Sequence, residues 1–176
     1  LISQFPDAKE CLSLMGLHVL ELVGYEADDI QGTVAKMAHS QDGLESYILS
    51  GDRDLLQLID DKVTVLLATN SDTLVMHREE FFEKYGVAPS QFIDMKALMG
   101  DSSDNIPGVA GVGPKTATDL LLKFGSLDGV YENINDTSIR PKLREKLVND
   151  KEKAYLSYDL ATIRPEAPID FEPKDA

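Results

Sequence analysis

The chain has 176 residues, 43% of them hydrophobic, a formal net charge of −14 and a single cysteine. That length suits one domain of ordinary size, or one with a small subdomain, and no apolar run is long enough for a spanning helix, which excludes a membrane protein of that kind. The lone Cys11 excludes an internal disulfide framework and a multi-cysteine zinc site, while the acidic balance argues against nucleic-acid binding unless the carboxylates gather divalent cations.

In chain order, Pro6 suits the first turn of a helix, where its missing N–H costs nothing, and an apolar stripe through Leu12 and Met15 ends at Gly16. Cys11 lies among Leu12, Leu14 and Met15 and is expected to be a buried structural thiol. His18-Val-Leu-Glu-Leu-Val23 reads as a short strand. Gly24-Tyr25 then turns the chain into a helix from Glu26 to His39, with Ile30, Val34, Met37 and Ala38 as its apolar face. Ser46-Tyr-Ile-Leu-Ser50 is a second strand, followed by a short helix over Leu55, Leu56, Leu58 and Ile59. Strand, helix, strand, helix implies parallel strands joined by crossovers.

Val63–Leu67 and Thr73–His77 are β-like runs separated by Asn70-Ser-Asp72, which predicts a hairpin. From Arg78 the pattern is helical: Glu79–Tyr85, Ser90–Met99, Pro114–Phe124, Leu127–Ile134, Ile139–Val148 and Lys151–Leu160. Ser90 is the expected N-cap of its helix, and Gly86, Gly100 and Gly125 suit helix ends. The proline-rich tail from Ile163 is expected to be extended. The fold class is therefore α/β, a mostly parallel sheet flanked by helices over residues 1–77, followed by a helical subdomain over 78–176.

Three acidic clusters carry the chemistry. Glu26, Asp28 and Asp29 open a helix, where the dipole favours one or two acids; three in four positions is more than capping needs, and their repulsion calls for a cation. Asp52 and Asp54 follow a strand at the sheet edge where open α/β folds bind ligands, and Asp54 also suits a cap for the short helix beyond it. Asp101 and Asp104 form the third cluster, in a polar loop. The ligand set is all oxygen, which favours Mg²⁺ or Mn²⁺ over zinc, and two such ions about 4 Å apart suit in-line phosphoryl displacement. His18, His39 and His77 lie away from these motifs and read as structural or surface residues.

Gly111, Val112, Gly113, Pro114, Lys115 and Thr116 form a glycine-rich turn opening a helix, a geometry that favours a phosphate. With the Ile106-Pro-Gly-Val turn before it and helices on both sides, residues from about 98 to 124 read as a helix–hairpin–helix, an element that grips DNA backbone without reading sequence. The basic run Arg140, Lys142, Arg144, Lys146, Lys151 and Lys153 is either a further duplex contact or a solvated face, since Glu145, Asp150 and Glu152 are interleaved.

Together Gly24-Tyr-Glu-Ala-Asp-Asp-Ile30, Gly51-Asp-Arg-Asp-Leu-Leu-Gln-Leu58, Leu98-Met-Gly-Asp-Ser-Ser-Asp-Asn-Ile-Pro-Gly-Val109 and Gly111-Val-Gly-Pro-Lys-Thr-Ala117 resemble the structure-specific 5′-nuclease (flap endonuclease) family, and within it the 5′→3′ exonuclease domains of bacterial DNA polymerase I. The resemblance implies a PIN-like core and a metal-dependent 5′→3′ exonuclease or flap endonuclease acting on branched, flapped or nicked DNA in replication and repair. It places Glu26, Asp28 and Asp52 around the catalytic metal with Asp29 in support, and Asp54, Asp101 and Asp104 on the side of a second Mg²⁺ or Mn²⁺. It also implies K⁺ held by the carbonyls of Leu98, Met99, Pro107, Val109 and Val112, a monomer in the bacterial cytoplasm, and a polymerase domain beyond the chain. The family pattern begins with a strand carrying a further metal-binding Asp and with a basic helical arch. A chain opening at Leu1 starts too late to hold them, so it reads as a fragment. Two alternatives follow: a catalytically incomplete piece acting only as a structure-specific DNA-binding module, and a PIN-like ribonuclease.

Overall fold

The computed structural model describes residues 2–173, which form two compact units: Leu1–Ser46 with Ile163–Ala176, and Tyr47–Thr162. In the first unit a 3₁₀ turn, Ile2–Gln4, leads into helix α1 (Phe5–Leu14), with its proline in the first turn as expected. No residue of α1 is buried, and Leu14 and Met15 are 82% and 69% exposed. Cys11 is exposed too, contrary to the expected buried thiol: an apolar stripe buries its neighbours only where another element covers it. Residues 18–23 form no strand either. Alternation supplies the side-chain pattern, but a strand exists through its ladder of hydrogen bonds, and the sheet takes none from here. Instead the Tyr25 N–H turns back to the Leu22 carbonyl at 3.3 Å.

Helix α2 (Ala27–His39) begins after Glu26, as the sequence indicates. Its buried residues are Ile30, Gly32, Thr33, Ala35 and Ala38, a face rotated toward its small residues. The tail lies along it. The Ala167 N–H donates to Thr33 Oγ1 at 2.9 Å, the Arg164 N–H donates to Asp29 Oδ1 at 2.8 Å, and Lys36 pairs with Glu166 at 2.7 Å. The tail forms no helix or strand over residues 162–172, and the Glu166 and Ile169 N–H groups turn back to the carbonyls of Arg164 and Ala167 at 2.9 and 2.8 Å.

The second unit contains a three-stranded sheet ordered β1-β2-β3, from β1 (Ser46–Ser50), β2 (Val63–Ala68) and β3 (Thr73–Met76). Strands β2 and β3 form the expected antiparallel hairpin, in a register from Val65↔Met76 to Ala68↔Thr73. Central β2 buries Val63, Thr64, Val65 and Leu67. Between β1 and β2 the predicted short helix is a 3₁₀ turn, Asp54–Leu58, anchored by buried Leu55 and Leu56.

The helices follow: α3 (Arg78–Tyr85), α4 (Phe92–Met99), α5 (Pro114–Phe124), α6 (Leu127–Glu132), α7 (Pro141–Asn149) and α8 (Lys151–Ala161). Ser90 is not an N-cap. It lies inside a 3₁₀ turn, Pro89–Gln91, ahead of α4, where the Gln91 side chain accepts the Ala88 N–H at 3.0 Å. Helix α4 is the centre of this unit, packed against α5, α6 and α8. It buries residues on every side, two of them charged: Asp94 and Lys96. Asp94 Oδ1 accepts the Leu127 N–H at 2.8 Å, which satisfies one orphan donor of α6. Phe81, Tyr85 and Phe92 close an aromatic cluster with ring centroids 4.6–5.2 Å apart.

Two tyrosines tie the last helices together. The Tyr131 hydroxyl donates to the Leu147 carbonyl at 3.1 Å, and the Tyr155 hydroxyl donates to Asp128 at 2.7 Å. Burial, with the charge of Asp150 adding, pushes Tyr131 from 10.0 to about 12. Burial and the Asp128 hydrogen bond push Tyr155 to about 12. A raised folded-state value favours the neutral phenol, so this stabilisation is complete below pH 10 and disappears as pH climbs from 10 toward 12. Urea melts across that window are expected to show falling stability. Tyr131→Phe should flatten the decline while costing about 1 kcal/mol near neutrality through the lost hydrogen bond.

Candidate metal centre and nucleic-acid interface

The predicted acids fall into separate groups. Glu26 is the N-cap of α2 and is exposed, and its N–H donates to Asp29 Oδ2 at 3.4 Å. Both Asp29 oxygens thus hold backbone donors, one at the helix start and one in the tail. Asp28 Oδ1 accepts the Asp29 N–H at 2.9 Å. These contacts fix the first turn of α2, where the dipole already favours negative charge.

In the second unit the Asp52 carboxylate accepts the Asp54 N–H at 2.9 Å, so Asp52, not Asp54, closes the turn after β1. This leaves the Asp54 side chain to face inward, where it meets Asp101 and Asp104. The three acids offer oxygens within 4.8 Å of one another, the one such group among the described residues. Asp101 and Asp104 are presented by a tight loop. Asp101 and Ile106 exchange backbone hydrogen bonds of 2.9 and 2.8 Å, and Asn105 takes the left-handed conformation at φ 57° that the closure requires. Ser103 holds Asp101 Oδ1 with its N–H at 3.0 Å and with its hydroxyl.

At the centre of the three carboxylates lies Lys96, 3% exposed. Its ammonium donates to Asp54 Oδ1, approaches Asp101 Oδ2 at 3.0 Å and Asp104 Oδ2 at 3.8 Å, and its Nζ lies 5.6 Å from the centre of the Phe92 ring. Burial alone would depress this lysine, but hydrogen bonds to Asp54 and Asp101 outweigh it and hold Lys96 above its ordinary value. Asp101 is pushed up by burial, yet its bonds from Ser103 and Lys96 prevail and hold it below the usual carboxylate range. Asp54 goes the other way: burial, reinforced by the charges of Asp52 and Asp104, raises it despite Lys96. Nothing in the sequence reading singled out Lys96. The available signal was a lysine inside an apolar helix, five residues before the acidic loop.

The glycine-rich turn continues the same backbone. Gly113 is the N-cap of α5, with Gly111, Gly113, Pro114 and Lys115 exposed and Val112 buried beneath them. The hairpin is clamped from behind. The Gly108 N–H donates to buried Ser157 Oγ at 2.9 Å, the Ala110 N–H donates to Asp150 Oδ2 at 2.9 Å, and Lys146 Nζ donates to the Gly111 carbonyl at 3.4 Å. Of the basic run, Arg144 serves the fold, donating to the carbonyls of Ile134, Asp136 and Ile139, while Lys153 pairs with Asp150. The Leu98 and Val109 carbonyls already accept the N–H groups of Val109 and Val112. A cavity of about 810 Å³ lies elsewhere, lined by Arg78, Glu79, Phe82 and Pro89, and holds none of the predicted site residues.

Comparison with known proteins gives consistent relatives. A family model described as the 5′-3′ exonuclease N-terminal resolvase-like domain matches residues 1–86, and one described as the 5′-3′ exonuclease C-terminal SAM fold matches residues 87–176. DNA polymerase I of Streptococcus pneumoniae R6 is 51% identical over 168 residues, which is 94% of this chain but 19% of that protein. DNA polymerase I of Bacillus subtilis is 49% identical over 172 residues, covering 97% of this chain and 19% of the relative. The chain therefore spans about a fifth of the length of the curated relatives it matches. Among solved structures, a T5 5′-exonuclease with bound zinc superposes with a TM-score of 0.77 at 28% identity, over 93% of this chain and 59% of that one. The Rad2 catalytic core in complex with a DNA substrate shares the fold at a TM-score of 0.60 and 22% identity, over 94% of this chain and 57% of that one.

The crossing of residues 100 and 108 is the tightest point of the loop. A Cβ on Gly108, at φ +60°, would lie 2.2 Å from the Gly100 nitrogen, whereas one on Gly113 would meet open space. Gly108→Ala is expected to destabilise the chain by more than ~1 kcal/mol, and Gly113→Ala by less than about 1 kcal/mol. Denaturant midpoints of the two variants measure the contrast.

Proposed function

The chain belongs to the 5′-3′ exonuclease family, and on that premise we propose that it hydrolyses phosphodiester bonds at the 5′ end or flap of branched or nicked DNA, in replication and repair, with divalent metal ions. The observation that carries this reading is the gathering of Asp54, Asp101 and Asp104 within 4.8 Å. The donor set fits a hard cation: every ligand is a carboxylate oxygen, and three carboxylates with one ammonium leave two negative charges, the complement of one divalent ion. Asp54, Asp101 and Asp104 would hold that ion, with Asp52 on the same turn as Asp54, while Glu26, Asp28 and Asp29 would offer carboxylates for another; Mg²⁺ or Mn²⁺ both suit such ligands. When bound, the ions supply Lewis acidity at phosphorus, acidifying the attacking water and offsetting charge on the leaving oxygen.

The residues of the chain do the rest. Lys96 and Ser103 keep the carboxylates in place, and the Asp52 bond to the Asp54 N–H fixes the turn that aims Asp54. Gly111 to Thr116 present the first backbone N–H groups of α5 to a phosphate, with exposed Lys115 beside them. K⁺ at the carbonyls of Leu98, Met99, Pro107, Val109 and Val112 would rigidify the same turn. Residues 1–77 then serve as nuclease core and 78–176 as the DNA-binding part. The name of the polymerase I relatives, of which this chain spans about a fifth, supports a polymerase domain beyond the chain; the protein is proposed to be a monomer of the bacterial cytoplasm. Among the described residues no helix is long and apolar enough to cross a membrane.

Flap binding and flap cleavage in Mg²⁺ test the reading together. In the longer protein that contains this chain, the wild type is expected to cut a 5′ flap, and Asp52→Ala to bind it with unchanged affinity while cleaving at least ~100-fold more slowly, as when charge stabilisation at a reacting centre is removed. Unchanged cleavage by Asp52→Ala would sink the assignment. Binding without turnover by the wild-type chain would make it a DNA-binding module, and a preference for single-stranded RNA would make it a ribonuclease.

A further inference from the structure

Two of the three carboxylates proposed to hold a divalent ion already have a cationic partner. Asp101 Oδ2 is paired with Lys96 at 3.0 Å, and Asp101 Oδ1 accepts the Ser103 N–H at 3.0 Å together with the Ser103 hydroxyl. Asp54 Oδ1 accepts from the same ammonium. Among the described residues the group already has a cation at its centre, supplied by the protein.

That cation has little freedom. The Lys96 side chain is 4% exposed, on a helix whose neighbouring residues Met95 and Ala97 are also buried, and Phe92 lies one turn earlier on the same face. A lysine on the protein surface would simply swing into solvent when a metal arrived. This one must stay near, and an ammonium beside a divalent ion repels it through a short, poorly screened distance. Conversely, without a metal the ammonium keeps three acids from driving one another apart.

We infer that Lys96 is the resident counter-ion of the Asp54–Asp101–Asp104 site: it holds the carboxylates together when no divalent ion is present and competes with that ion for Asp54 and Asp101. It is a positioning residue, not a catalytic one. Its consequence is a site that forms before the metal arrives and holds the metal less tightly than the carboxylates alone would. The inference rests on the reading of Asp54, Asp101 and Asp104 as divalent ligands.

Calorimetric titration of the full chain with Mn²⁺ alone, together with melting in EDTA, tests it without reference to activity. Lys96→Met keeps the length of the side chain and removes the charge. It is expected to melt lower than wild type in EDTA and to bind Mn²⁺ at least ~tenfold more tightly, since a repelling charge at close range is gone. Mn²⁺ should then raise its melting temperature more than it raises that of wild type. Asp101→Asn, measured alongside, should weaken Mn²⁺ binding. Unchanged Mn²⁺ binding by Asp101→Asn removes the metal site and the inference together. Weakened binding by Asp101→Asn, with equal or weaker binding by Lys96→Met, overturns the inference alone. Lys96→Gln, which retains a hydrogen-bond donor without charge, covers a folding failure of the methionine variant and carries the same expectation. If neither variant folds at any Mn²⁺ concentration, a divalent ion cannot replace the ammonium and the inference fails.

Discussion

An ammonium group buried on a central helix must be matched by carboxylates, and the second unit is arranged around that requirement. Removing one partner of a buried ion pair typically costs ~3–5 kcal/mol, because the other charge is left without solvent or counter-charge. Lys96 therefore demands Asp54 from the turn after β1 and Asp101 from the loop after α4. Two segments far apart in sequence are brought to one point by the same side chain. Two residues earlier on α4, Asp94 makes the equivalent demand of α6 and is answered by the Leu127 N–H. The helix that carries both charges is thus a scaffold of polar registrations as well as a hydrophobic core, and apolar packing by α5 and α8 alone would leave its rotation less specified.

The acidic loop and the glycine-rich turn are consecutive stretches of one backbone, and the crossing at Gly100 and Gly108 couples them. A Cβ on Gly100 would lie 2.8 Å from the Ile106 carbonyl oxygen, so the two strands of the loop approach as closely as backbone can. The Val109 N–H donates to the Leu98 carbonyl across the same crossing, and Ser157 and Asp150 pin the far side to α8 and its N-terminus. A displacement of Gly111 to Thr116 by a bound backbone would have to pass through this crossing to reach Asp101. The N–H groups of Ile106, Gly108, Val109 and Ala110 in the stretch between are already tied, which limits how far the loop can absorb it.

What the sequence made legible divides along physical lines. The bounds of α5 follow from Pro114 and Gly125, local backbone signals that need no tertiary partner, and they agree to the residue. The β2–β3 hairpin follows from alternation around a polar turn. The strand expected over residues 18–23 and the buried Cys11 both fail for one reason: each needs a neighbour to pair with or pack on, and periodicity says nothing about whether that neighbour exists. Ser90 misled because a good capping residue is only a cap where the helix actually starts. The acids of the candidate centre were legible because carboxylate clusters are conspicuous. Lys96 was not, since a lysine reads as solvent-facing unless its partner is known, and that partner is 42 residues upstream.

The formal charge of −14 gains a physical meaning from where the cations go. Lys96 is inside the acid cluster, Lys123 holds Asp136, Lys153 holds Asp150, and the Arg144 guanidinium is fixed on three carbonyls. These four side chains are already engaged within the fold. On the proposed reading, what this chain itself contributes to the grip on a phosphate comes from oriented N–H groups at the start of α5, with Lys115 close by, and from ions recruited by the carboxylates. Fixed dipoles and bound divalent ions act at short range and at defined positions, whereas a basic surface attracts polyanions diffusely. An acidic protein built this way would repel duplex over most of its surface and accept it where dipoles and metal coincide. Net charge then works as a filter for the right geometry on the substrate, and is no argument against a nucleic-acid partner.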